Sequence, residues 1–166
     1  MCRKFFRKVS SFTRNERGVQ LAELAIVLPI LLLLFAAVAE FGRYFYEYTT
    51  VAKSSRTAVR YLTTACPNGT DDPAAKNLVV FGNLAGTGNP LISGLATTNV
   101  KVTRFDSAGN VVTGGIPATV TVEIINFKHT CLFDLGKLTN SSTTLNVDVK
   151  PSVTMRYLLT QPSVGC

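Results

Sequence analysis

Glu16-Arg17-Gly18-Val19-Gln20-Leu21-Ala22-Glu23 leads into sixteen apolar residues, Leu24 to Ala39, and the run closes on Glu40-Phe41-Gly42-Arg43. Only Gln20 and Glu23 interrupt the stretch from Val19 to Ala39. As a helix that stretch is roughly 31 Å long, the thickness of a bilayer's hydrocarbon core. A carboxylate at the mouth of such a run costs a few kcal/mol unless it finds a partner. Glu23 lies five residues after Gly18, the glycine that closes a basic leader. Cleavage after Gly18 would create an amino group on Val19, and a neighbouring copy could offer that amine to Glu23.

Charge supports a membrane-facing reading over a nucleic-acid one. The 166 residues carry a formal +7, but residues 1–18 hold Arg3, Lys4, Arg7, Lys8, Arg14 and Arg17 against Glu16. Past the leader, basic and acidic residues nearly balance, and no basic stripe remains to neutralise phosphates. A basic block abutting an apolar run is the cytoplasmic flank of the positive-inside rule. A secretory signal would carry its cleavage site after the apolar region. Here the leader and the candidate cut both precede it, so the membrane helix stays with the mature chain.

Beyond Gly42 the pattern becomes amphipathic. Phe41, Tyr44, Phe45, Tyr48, Val51, Ala52, Ser55, Val59 and Leu62 recur at three-four spacing, the signature of a helix with one buried face. Arg43, Glu47, Lys53, Arg56 and Arg60 read as lying off that seam, with Arg43 and Glu47 as an i,i+4 surface pair. The aromatics from Phe41 to Tyr48 suit an interfacial belt or a packing surface. One helix is expected from about Val19 to about Thr64, ended by Cys66-Pro67-Asn68-Gly69 and kinked or locally melted at Pro29. Asp71-Asp72-Pro73 predicts a capped short helix to about Phe81. Strands are predicted at 100–105, 118–127 and 145–159, where apolar residues alternate, with Pro151 marking an edge or a bulge. The fold class is α+β: a long N-terminal helix packed on a small antiparallel sheet.

The resulting organisation is a leader at 1–18, a transmembrane helix at 19–40, an amphipathic extension at 41–65 and a β-rich extracytoplasmic head at 66–166. Cys2 falls in the leader, while Cys66, Cys131 and Cys166 fall where disulfides persist. Strand geometry disfavours Cys131–Cys166 without excluding it, which makes Cys66 one partner; the Gly and Pro flanking both ends favour Cys166 slightly over Cys131 as the other. His129 and Cys131 are the only neighbouring pair with metal or nucleophile potential. With no second histidine in the chain and no third ligand in view, they read as a loop histidine and a structural cysteine. No phosphate loop, paired-carboxylate motif or zinc spacing appears. No catalytic residue, metal or cofactor is assigned, and no small-molecule or nucleic-acid partner is expected.

Glu16-Arg17-Gly18, Glu23, Leu28-Pro29, the leucine run, Glu40-Phe41-Gly42-Arg43 and Ala52-Lys53-Ser54-Ser55-Arg56 through Arg60-Tyr61 resemble TadE-like proteins. These are pseudopilins, or minor pilins, of the bacterial tight-adherence (Tad) pilus, a type IV pilus subclass. The resemblance covers about residues 14–62, with a weaker echo at Val153-Thr154-Met155-Arg156-Tyr157. It implies cleavage by a prepilin peptidase between Gly18 and Val19, and assembly through Glu23, Pro29 and Glu40. The partners it implies are other pilin subunits, the pilus assembly machinery and the inner membrane. The expected topology has a cytoplasmic N-terminus and an extracytoplasmic C-terminus, with a place in a surface pilus after processing and a role in adhesion and biofilm formation. Val19 departs from the phenylalanine that many type IV pilins carry at the first mature position. The competing reading is an uncleaved single-pass envelope protein whose head binds a partner.

Overall fold

The computed structural model describes residues 16–132 and 146–159. The leader residues 1–15, Leu145 and Cys166 lie outside them. The chain divides into two compact units, Met1–Val38 and Ala39–Cys166.

Helix α1 spans Glu16–Leu62 and is unbroken at Pro29. The local melting expected there is absent. Proline removes one N–H, the donor that would serve the carbonyl of Ala25, and it leaves the turns on either side intact. In the first unit the apolar side chains are bare: Leu21, Ile26, Leu31, Leu34 and Phe35 are all exposed. No residue of the most apolar window of this helix is buried. A helix apolar on every side belongs in lipid or among other apolar helices.

The second unit is an α+β fold. Helix α2 runs Asp72–Phe81, with Pro73 in its first turn and Gly82 as a left-handed C-cap whose N–H donates to the Leu78 carbonyl. The Asp71 side chain makes no capping bond, contrary to expectation. Its carboxylate instead accepts from the Cys66 N–H at 2.9 Å and from the Tyr61 hydroxyl at 3.4 Å. That carboxylate and the loss of solvent together raise the Tyr61 pKa, with burial the larger cause.

Strands β1 (Val100–Phe105), β2 (Thr119–Ile124) and β3 (Ser152–Arg156) form one antiparallel sheet in the order β1-β2-β3. The shortening of the predicted strands follows from local chemistry. Val111 makes only an isolated bridge to Phe105, because the turn is held by Asp106 accepting from the Ala108 and Asn110 N–H groups. Val120, Val122 and Ile124 are fully buried and alternate with Thr119, Thr121 and Glu123. Each contributes roughly 1.5–3 kcal/mol by leaving water. The core they form includes Val51, Ala58, Val59 and Leu62 of α1 and Ala75, Val79 and Val80 of α2. The helix face that covers the sheet is therefore set by Val51 to Leu62. Phe41 and Phe45, read from sequence as part of that seam, are exposed instead.

A bulge after β2 decides where the functional residues fall. Glu123 pairs with Ser152, and further on Lys128 bridges Asp148. Four residues, 124–127, therefore oppose three, 149–151. Asn126 takes up the extra residue in the left-handed region, at φ 54°. Asn99 secures the bend, its side-chain amide donating to the carbonyls of Ile125 and Asn126. One inserted residue exchanges the two faces of a strand. Before the bulge the even-numbered residues are buried; after it Phe127 and His129 are.

Candidate functional site

The first candidate region is the apolar helix. Val19 and Glu23 are exposed within it. A Cβ placed on Gly18 would meet no atom of the described residues within 4 Å. Glu23 is the only charged side chain between Val19 and Ala39.

The second region brings together residues that the sequence left apart. Stepping back from Leu62 and Val51 by threes and fours along α1 reaches Glu47, Tyr44, Arg43 and Glu40. Glu40 is buried; its Oε1 lies 3.0 Å from His129 Nε2 and accepts from the Leu132 N–H at 3.0 Å and from Arg43 Nη1 at 3.4 Å. The other ring nitrogen of His129, Nδ1, lies 2.7 Å from Glu47 Oε2. Arg43 Nη2 stands 3.8 Å from Glu47 Oε1, and the Tyr44 ring meets the imidazole edge-on at 5.7 Å. His129 is only 2 % exposed. It lies outside the regular strands, as expected of a loop histidine, but is buried and clamped between two carboxylates. Glu47 likewise leaves the solvent face assigned to it and turns inward.

Cys131 completes the group. Its sulfur, a Glu40 carboxylate oxygen and a His129 ring nitrogen all lie within 4.8 Å of one another. The third ligand type that the sequence could not supply comes from α1, nearly ninety residues away along the chain. This constellation overturns the reading of His129 and Cys131 as a pair lacking partners. It also accounts for the burial of Glu40 within one chain, with no second subunit required.

The cysteines are sorted by the same geometry. Cys66 follows the end of α1, where the Leu158 N–H donates to the Thr63 carbonyl at 3.1 Å and the Tyr157 hydroxyl to the Ala65 carbonyl at 2.5 Å. Cys131 lies beside Glu40, and about 33 Å of helix separates Glu40 from Leu62 at 1.5 Å per residue. A disulfide needs Cα atoms within about 7 Å, so Cys66 and Cys131 cannot be joined in this fold.

A second polar cluster fastens α2 to the sheet. Arg104, buried on β1, meets Asp72 of the first α2 turn through two bonds, Nη1 to Oδ2 at 3.1 Å and Nη2 to Oδ1 at 2.5 Å.

No curated protein and no solved structure matches the chain. A family model does: residues 18–60 match the family described as TadE-like protein. The matched segment begins at the glycine before Val19 and carries the apolar helix, Glu23, Pro29 and the Glu40-Phe41-Gly42-Arg43 sequence in their expected order. Over that N-terminal segment the chain is similar to TadE-like proteins.

Proposed function

We propose that the chain is a structural subunit, a minor pilin or pseudopilin, of a Tad-type pilus. A prepilin peptidase removes residues 1–18 by cutting between Gly18 and Val19. The mature helix then leaves the inner membrane and packs with the helices of other subunits, in a filament that serves adhesion and biofilm formation.

One observation carries this reading: α1 is exposed and apolar all round from Val19 to Val38, interrupted only by Gln20 and Glu23. Such a surface is satisfied by lipid, and equally by identical helices. The carboxylate distinguishes the two. In lipid alone Glu23 costs a few kcal/mol; beside the Val19 amine of a neighbour it becomes half of an ion pair. Repeating that head-to-tail contact without closure generates a helical fibre, and the pair sets its axial register. Gly18 fits the same scheme. A Cβ there would meet no atom of the described residues, so the demand for glycine falls on the peptidase.

The mature N-terminus, read by mass spectrometry on protein from cells with active prepilin peptidase, tests the proposal. The expected terminus is Val19, and Gly18→Asp should leave the leader in place. Wild-type protein that keeps residues 1–18 would replace the pilin reading with that of an uncleaved membrane-anchored protein.

A further inference from the structure

We propose that Glu40, His129 and Cys131 form a binding site for a divalent late transition-metal ion, with zinc the ion that the ligand set suits best. The site is independent of the pilus reading, since all its residues lie in the second compact unit of a single chain.

Ligand chemistry comes first. A carboxylate oxygen, an imidazole nitrogen and a thiolate sulfur are the three donor types that zinc takes, at bond lengths of about 2.0–2.3 Å. A tetrahedral ion with such bonds holds its ligands roughly 3.5 Å apart. The three donor atoms here lie within 4.8 Å of one another, so closure onto an ion needs them to draw together by about 1 Å. Three protein ligands leave a fourth position for water.

The surroundings of the histidine supply a second, independent indication. A metal-bound histidine almost always donates its other ring N–H to a carboxylate or carbonyl, which fixes the ring and its tautomer. Glu47 Oε2 stands 2.7 Å from His129 Nδ1. With the proton on Nδ1, the lone pair on Nε2 faces the Glu40 carboxylate at 3.0 Å. Two acceptors then confront each other in a buried site, and a cation must lie between them. A proton would meet that need; the Cys131 sulfur, within 4.8 Å of both atoms, adds a third donor of a type that zinc takes and so favours the metal.

Charge gives the same answer. Glu40, Glu47 and a Cys131 thiolate carry three negative charges, and Arg43, at 3.4 Å from Glu40 and 3.8 Å from Glu47, offsets one. A divalent ion neutralises the remainder. Bound there, it ties the segment after the β2 bulge to α1 at the start of the second unit. The Leu132 N–H, already on Glu40 Oε1, holds that segment in place.

The test uses the full-length protein in detergent micelles, stripped with chelator and titrated with Co²⁺ and with Zn²⁺. The expected result is one ion per chain, a thiolate-to-cobalt charge-transfer band, and a melting temperature that chelator lowers. Cys131→Ser, at a half-buried position with nearly unchanged side-chain volume, should abolish the band and the chelator effect while the protein still folds. Glu47→Gln should weaken binding ten- to a hundredfold while keeping the band, as loss of an orienting partner does. Failure to retain metal, a cobalt spectrum without a thiolate band, or undiminished binding by Cys131→Ser would overturn the assignment.

Discussion

Arg104→Met probes the pair that joins α2 to the sheet. Arg104 and Asp72 are 10 % and 24 % exposed and meet bidentately, so neither limit of ion-pair energetics applies unmodified. Breaking a fully buried pair by removing one partner costs about 3–5 kcal/mol, whereas an exposed pair is worth about 0.2–1 kcal/mol. The guanidinium is almost enclosed, but the carboxylate keeps some water. Asp72 also sits in the first turn of α2, where the helix dipole stabilises a negative charge by about 0.3–1 kcal/mol after its partner is gone. The net expectation is about 2 kcal/mol. A unit of about 130 residues unfolds with an entropy of about 0.27 kcal/mol/K, at roughly 2.1 cal/mol/K per residue, so the melting temperature should fall by about 7 °C. Calorimetry of the full-length protein in micelles measures this directly. Asp72→Asn in the Arg104→Met background should then cost much less than it does alone, because the interaction it removes is already lost. A melting point within 2 °C of wild type, or two costs that simply add, would show that the pair does not hold α2 to the sheet.

Two further expectations follow from the helix and the cysteines. Glu23→Leu should insert into the membrane at least as well as wild type, since leucine is favourable in hydrocarbon, while its incorporation into pili falls; normal piliation would remove the ion pair from the assembly scheme. Non-reducing peptide mapping of exported protein should recover Cys66 joined to Cys166. Seven residues after Leu159 reach about 25 Å at most, enough for the nearby helix end but not for Cys131, and a Cys131–Cys166 peptide would contradict the fold itself.

The elements legible in the sequence are those whose cause is local. The apolar run gave α1, alternation of Val120, Val122 and Ile124 with Thr119, Thr121 and Glu123 gave β2, and Asp72-Pro73 with Gly82 bounded α2. The Glu40 centre was hidden for two separable reasons. Its carboxylates stand on a helix face whose phase is set further along by Val51, Ser55, Ala58 and Leu62. Continuing that phase backward by threes and fours reaches Glu47, Tyr44 and Glu40, but the aromatics Phe41 and Phe45 drew the seam to the wrong side. That signal was present and outweighed by hydrophobicity.

The second reason was not recoverable from periodicity. Extending the alternation of β2 past Ile124 turns Lys128 inward and His129 to solvent. The observed burial is the reverse, because Asn126 inserts one residue and exchanges the faces. A left-handed asparagine after an isoleucine pair is a weak cue, and only the pairing with 147–149 shows where the extra residue lies. The consequence reaches beyond fold description. A strand that simply continued would place Lys128 against Glu40 and Glu47 and neutralise them with an ammonium. The bulge withdraws that lysine and presents an imidazole, with Cys131 two residues on at the same parity. The substitution of a fixed cation by a group that needs a proton or a metal to satisfy two carboxylates is thus the work of a single inserted residue. Deleting Asn126 should restore the uninterrupted ladder and keep Lys128 opposite Asp148, so Lys128 stays outward and His129 inward. If the fold survives, the centre should therefore keep its affinity for metal, and loss of binding would show that the bulge does more than set which face His129 takes.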